Sequence, residues 1–216
     1  CPLSPQIFAL ALESLAAWAR QDPLIPGIQW SDLWEDRISL YADEILVYIT
    51  DPEASLDRIM HIIQQFVKYS GYTINWEKSL IYVLRGPKPR LPRDCGANVV
   101  LDGFQYLGIY ITKGPATYYK RNLAPPYDRL KSDIKHWRAL PLSLLVRAAL
   151  FKMMSIPRFL YVLQNTPNHV ADIYFKSINS DLRTLLWDGR HARIALKKLT
   201  RGWYDGGIAL PDIHKY

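Results

Sequence analysis

The spacing of apolar residues changes character once along the chain, and that change sets the fold class. Up to about residue 112 helical and strand spacings alternate, whereas beyond Pro115 only helical spacing remains. Residues 4–20 predict a helix. Ser4-Pro5 supplies an N-cap and a first-turn proline, and Ile7, Phe8, Leu10, Ala11, Leu12, Leu15 and Trp18 cover most of the circumference, as in a helix buried all round. Pro23, Pro26 and Gly27 break it. Residues 37–50 predict two short strands with a tight turn: Ile38, Leu40 and Ala42 alternate with polar positions, Ile45 to Ile49 form a β-prone run, and Asp43 and Glu44 lie at the tip. Asp51-Pro52-Glu53 opens a helix carrying Leu56, Ile59, Met60, Ile63, Phe66 and Val67, which Gly71 ends. Residues 72–74 and 80–84 are strand-like, 85–98 read as a loop, and 104–111 form a short β segment bending at Gly108. Helices follow at 126–138, 142–155 and 169–187, punctuated by Pro141 and Pro157. The expected class is therefore α+β: a mixed part at 1–112 and a mostly helical part at 113–216.

Charge divides along similar lines. Residues 1–84 carry five Lys/Arg and eleven Asp/Glu, whereas 85–216 carry 22 and nine. An acidic half joined to a strongly basic half implies separate tasks, and the basic half suits a polyanion. Two isolated cysteines, Cys1 and Cys95, make neither a disulfide framework nor a zinc site, which fits an intracellular, reducing setting. No apolar run approaches the roughly 20 residues that span a bilayer. The first residue is not Met and the chain starts at a helix entry, so further sequence is expected on the N-terminal side.

Asp43 and Glu44 carry the most specific chemistry. Carboxylates at a hairpin tip flanked by buried strands are placed to hold Mg²⁺, which takes few protein ligands and keeps the rest of its sphere for water and phosphate. Two adjacent acids alone more often form a solvated turn. Their neighbours alter that balance. Cys1-Pro2-Leu3-Ser4-Pro5 with Phe8-Ala9-Leu10, then Tyr41-Ala42-Asp43-Glu44, then Ser70-Gly71-Tyr72 with Asn75-Trp76-Glu77-Lys78-Ser79, then Tyr106-Leu107-Gly108-Ile109, occur in one order. Leu140-Pro141-Leu142-Ser143 through Arg147, Ile156-Pro157-Arg158-Phe159-Leu160-Tyr161 and Gly206-Gly207-Ile208-Ala209-Leu210-Pro211-Asp212 complete the series. In that order they resemble reverse transcriptases of non-LTR retrotransposons of the long interspersed element type.

The resemblance implies a partial polymerase palm at 1–112, an antiparallel sheet with packed helices, and a thumb-like helical region at 113–216. It implies RNA-directed DNA synthesis with Mg²⁺, or Mn²⁺, on an RNA template with a DNA primer and dNTP. Asp43 and Glu44 would bind metal, and Lys78 would donate a proton to pyrophosphate. Pro2, Leu3 and Ser4 would lie near the incoming nucleotide and template. Tyr106, Leu107 and Gly108 would support the primer end. Independently of the resemblance, Lys131, Lys135, Arg138, Arg147, Lys152 and Arg158 lie on predicted helices with apolar companions and suit contacts to a nucleic-acid backbone. Trp137 and Tyr161 are placed to stack on bases, although Trp137, Phe159 and Trp187 also fit core positions. Arg190, Arg193, Lys197, Lys198 and Arg201 read equally well as a solvated face.

The chain departs from the family pattern in two places: Glu44 stands where a second Asp is usual, and Val146 where Gly is usual before Arg. A further family aspartate belongs to a strand before the Cys1 motif. The isolated chain is therefore expected to be inactive in synthesis, and the alternative is a non-catalytic nucleic-acid-binding remnant.

Overall fold

The computed structural model describes residues 2–93, 95–167 and 169–215; Cys1, which opens the first motif, lies outside them. Helix accounts for 51% of the structure and strand for 13%, in small paired sheets, which agrees with an α+β class. The chain forms two compact units, Cys1–Leu101 and Asp102–Tyr216.

In the first unit, α1 spans Ser4–Gln21. Leu3 rather than Ser4 is the N-cap: Leu3 already has helical angles, and its carbonyl accepts from Ile7 N. Leu12, Leu15, Ala16 and Ala19 are buried, but the opposite stripe is open, with Ile7 63% and Leu10 76% exposed. The expectation of a helix buried all round is thus not met, because only one stripe meets neighbouring elements. A hairpin, β1 (Ile28–Ser31) and β2 (Trp34–Asp36), follows. Next come β3 (Ile38–Tyr41) and β4 (Glu44–Val47), antiparallel, pairing Ile38 with Val47 and Tyr41 with Glu44. Helix α2 spans Pro52–Ser70. Its ends match their sequence signals: the Asp51 carboxylate accepts from Ala54 N, and Gly71 adopts φ 69° and donates its N–H to Val67 O. Leu12, Leu15, Ile25, Ile59, Ile62 and Phe66 form the core beneath Leu40, Ile45 and Val47 of the hairpin. A short parallel pair, β5 (Leu80–Tyr82) with β6 (Asn98–Val100), completes the unit. Residues 72–74, expected to be strand-like, form no ladder.

In the second unit, β7 (Phe104–Tyr106) and β8 (Ile109–Ile111) form a hairpin. Helix α3 (Pro115–Tyr118) runs through a π-helical stretch, Tyr119–Leu123, into α4 (Ala124–Arg138). Helix α5 (Leu144–Leu150) likewise runs through a second π stretch, Phe151–Ser155, into α6 (Ile156–Gln164). Each π stretch immediately precedes prolines, Pro125 and Pro126 in one case and Pro157 in the other. Proline lacks an N–H and crowds the carbonyl of the preceding turn, and a wider turn accommodates it without ending the helix. The helices consequently extend past the boundaries that the prolines suggest. Helix α7 (Asp172–Trp187) and the short α8 (Leu196–Leu199) follow. The core joins Leu130, Phe151, Phe159, Ile178, Leu182 and Leu185. No helix of the described residues is long and apolar enough to cross a membrane.

Candidate functional site

The acidic hairpin has a buried base and an exposed tip. Ile38 packs against Ala16 and Ala19, with Leu40, Ile45 and Val47 beside it, so both strands are fixed from below. The turn contains two residues, Ala42 and Asp43, and Ala42 is held at φ 49°. Such a conformation costs a non-glycine residue roughly 1–2 kcal/mol, so the flanking strands over-determine it. Asp43 and Glu44 are both exposed. Among the described residues no group of three or more His, Cys, Asp or Glu side chains converges. Two exposed carboxylates match in number and chemistry the one or two that Mg²⁺ takes from a protein when water and phosphate complete its sphere. They do not complete a two-metal set.

Pro2, Leu3 and Ser4 are exposed at the start of α1. Lys78 sits in a turn organised by Asn75: its N–H donates to the Asn75 carbonyl and Oδ1, both at 3.2 Å, and Ser79 Oγ donates to the Asn75 carbonyl at 2.8 Å. The Asn-x-x-Lys-Ser pattern is thus a hydrogen-bonded turn that leaves the lysine exposed.

Leu107 and Gly108 form the turn of the β7–β8 hairpin, at φ 46° and φ 79°, and Tyr106, paired with Ile109, is the last residue of β7 before it. Glycine adopts this geometry readily and leucine does not. Two side chains hold it. Asn122, 5% exposed, accepts from Tyr110 N at 2.8 Å and donates to Tyr110 O at 2.9 Å. The Tyr161 hydroxyl donates to Leu107 O. Tyr161, expected to stack on bases, instead pins this turn while remaining 46% exposed. A Cβ on Gly108 would meet the Tyr161 ring at 3.4 Å, an ordinary contact, so it is the φ of 79° and not space that favours glycine there.

The six predicted backbone-binding bases separate. Lys131, Lys135 and Arg138 line one open groove on α4 together with Ile134, Ala139 and Asp188. The Lys131 ammonium also lies 4.1 Å from the Tyr127 ring centroid. Asp188 caps α7 with φ 55° and accepts from Arg138 Nε at 3.2 Å. That hydrogen bond, with the charges of Arg147, Arg138 and Arg190, holds the Asp188 carboxyl below the usual range against the opposing effect of burial. Arg147 departs from its expected role. Only 7% exposed, it donates to Leu142 O at 3.1 Å and Leu185 O at 2.9 Å, and lies 3.6 Å from Asp188. Its guanidinium joins the core segments and is turned away from solvent phosphate. Lys152 donates to Ile208 O at 2.6 Å, and Arg158 pairs with Asp133 at 2.6 Å, so each is already engaged within the unit. Trp137 and Trp187 pack against the core and Phe159 is 1% exposed, matching the packing alternative for all three.

Sequence reasoning missed Asp188 and Asn122. Neither carries a motif, and the Arg138 partner of Asp188 lies 50 positions away and the Tyr110 partner of Asn122 lies 12 away. A C-terminal helix cap is more often Gly or Asn, which hides Asp188 further.

The acidic hairpin, the Asn75–Ser79 turn and the pinned β7–β8 hairpin all fall in the stretch that matches a known family. The family model for reverse transcriptase (RNA-dependent DNA polymerase) matches residues 1–111, just over half of the 216 residues. The chain belongs to the reverse transcriptase family.

Proposed function

We propose that the chain is the palm and thumb portion of a non-LTR retrotransposon reverse transcriptase, acting on an RNA template and a DNA primer. The observation that carries this reading is the acidic hairpin: two exposed carboxylates on a strained two-residue turn, over a buried scaffold, within the family match. In this reading Asp43 and Glu44 hold Mg²⁺, or Mn²⁺. The ion would supply charge stabilisation for the attacking and leaving oxygens when the primer 3′-hydroxyl displaces pyrophosphate from dNTP. Pro2, Leu3 and Ser4 line the nucleotide and template side. Lys78 is placed on a turn that leaves its ammonium free to approach the pyrophosphate as a proton donor. The Leu107-Gly108 turn presents backbone to the primer end, and Lys131 and Lys135, bordered by the Arg138–Asp188 pair, contact backbone phosphates without reading sequence.

Among the described residues no third acid joins Asp43 and Glu44, and phosphoryl transfer depends on fully positioned charge. The 216-residue chain alone is therefore expected to incorporate no nucleotide in primer extension with Mg²⁺ or Mn²⁺. A chimera in which a related enzyme's fingers and first palm strand precede Cys1 is expected to extend primers. Asp43→Ala should lower that activity by roughly a thousandfold, about 4 kcal/mol. Unchanged extension by Asp43→Ala would overturn the reading.

A second reading rests on the α4 groove, whose three cations need no metal. A non-catalytic nucleic-acid binder would bind with steep salt dependence, indifferent to Mg²⁺ and to Asp43. Equal affinity at low and high salt would exclude it.

A further inference from the structure

Beyond the family match, residues 189–204 carry five Lys/Arg (Arg190, Arg193, Lys197, Lys198 and Arg201) and no acid. This run ends in two aromatic side chains that the fold directs outward: Trp203 is 60% exposed and Tyr204 fully exposed. Trp30, Trp34 and Tyr69 are exposed as well, but here two adjacent rings follow a run of five cations.

The backbone around them is closed and anchored. After α8, Trp203–Asp205 forms a single 3-10 turn between Gly202 and Gly206. Asp205 N and Gly207 N both donate to Gly202 O at 3.0 Å, and Ala209 N donates to Arg201 O at 2.8 Å. Ile208 N and Leu210 N donate to Leu199 O at 3.1 and 3.0 Å, and all three of those side chains belong to the core. The two rings are thus carried on a fixed loop with a packed base. The Lys152 ammonium lies 5.8 Å from the Trp203 ring centroid, a cation beside the aromatic face.

Exposed rings on an anchored loop, with Lys152 beside one of them, five cations before them in the chain and Asp205 after them, match one class of ligand. Single-stranded nucleic acid offers unstacked bases for the rings and phosphates for the lysines and arginines, whereas a duplex keeps its base faces covered. A protein partner would accept the rings and Arg201, which protein interfaces favour, but not the adjacent Lys197 and Lys198, which they disfavour. We propose that the Trp203–Tyr204 loop, with Lys197, Lys198 and Arg201, is a stacking surface for single-stranded RNA or DNA. It does not depend on the acidic hairpin or on polymerase activity.

Fluorescence anisotropy of labelled oligo(dT), oligo(rU) and a blunt duplex, titrated with the full chain, tests this. Tyr204→Ala is expected to weaken single-strand binding by roughly 5- to 100-fold, the loss of about one stacked base. Duplex affinity should be unchanged, and Tyr204→Phe should keep wild-type affinity. Because Tyr204 is fully exposed, its removal leaves the fold intact, as a matching circular dichroism melt would show. Lys197→Gln with Lys198→Gln should reduce the salt slope of single-strand binding by roughly 1.4, about 0.7 for each phosphate no longer neutralised. Tyr69→Ala, which removes an exposed ring outside every proposed site, should bind as wild type. Wild-type single-strand affinity in Tyr204→Ala would overturn the proposal. So would equal losses for single strand and duplex, or displacement of oligonucleotide by phosphatidylserine vesicles at equal anionic charge.

Discussion

Replacing Arg147 by alanine separates a structural from a phosphate-binding role. Its guanidinium donates to the carbonyls of Leu142 and Leu185 at 3.1 and 2.9 Å from a position only 7% exposed. Hydrogen bonds from a charged donor contribute about 1.5–3 kcal/mol each, so losing both costs about 3–6 kcal/mol. The ion pair with Asp188, at 3.6 Å and on a side chain 38% exposed, adds little. Against a total domain stability of about 5–15 kcal/mol, this is a large fraction. With a urea dependence of about 1.5 kcal/mol per molar, the midpoint should fall by roughly 2 M or more. Urea unfolding followed by far-ultraviolet circular dichroism reads this directly. Below the transition, the salt slope of nucleic-acid binding should match wild type. If instead the midpoint holds within about 0.5 M while the slope falls by about 0.9, as when one duplex phosphate is no longer neutralised, the structural assignment is wrong.

Acid stability and one glycine provide further checks. The Asp188 carboxyl is held low chiefly by the Arg138 hydrogen bond. Burial would raise that of Asp22, but the Arg58 hydrogen bond, the Leu24 amide and the charges of Arg58 and Arg37 outweigh it and hold it low as well. A carboxyl lowered by folding contributes stability above its ordinary value, near 3.8, and loses it as pH falls through its folded value. Unfolding midpoints should therefore drop steeply below about pH 4. Asp188→Asn should lower the midpoint of the second unit at neutral pH and flatten its drop in acid, as urea unfolding across that range would show. Gly207→Ala would place a Cβ 2.1 Å from the Arg201 carbonyl oxygen, a backbone atom that cannot swing aside. The loop must open, lowering thermal stability by about 1–3 kcal/mol and weakening single-strand binding in the same variant.

Where the determinants are local, the structure was legible in the sequence. Helix α2 has an Asp cap, a first-turn proline, an apolar stripe and a terminal glycine, all close together in the chain, and each does what it signals. The acidic hairpin was legible for the same reason. The prolines were misleading because their usual effect is to end a helix, and only the folded chain shows π stretches absorbing them at Tyr119–Leu123 and Phe151–Ser155. Interactions distant in sequence were illegible. Arg147 looks like any basic helix residue until Leu185 O, 38 positions away, is seen to accept from it. Tyr161 looks like a stacking aromatic until its hydroxyl reaches Leu107, 54 positions back. The departure at Val146 proves mild: it is 45% exposed, and its N–H donates to the Ser143 cap, a role any non-proline residue can fill.

Strain links the proposed sites. Among the described residues, positive φ at a non-glycine position occurs at Ala42, Leu107, Asp188 and Ala209. These lie in the acidic turn, the pinned hairpin turn, the basic groove and the aromatic loop. Such conformations persist where surrounding structure over-determines them, and they concentrate at binding and catalytic positions. Ala42 gives the cleanest test, because it is exposed and loses no packing on substitution. Ala42→Gly relieves about 1–2 kcal/mol of left-handed strain, while the freer unfolded chain takes back about 0.4–1 kcal/mol. The net expectation is a gain of up to roughly 1.6 kcal/mol in urea unfolding of the first unit. If the strained turn fixes the direction of Asp43, the same variant in the primer-extending chimera should lose about tenfold in incorporation, since misplacement of about 1 Å already costs up to a hundredfold. A variant that is both more stable and fully active would show that the strain at Ala42 is incidental to the chemistry proposed for the hairpin.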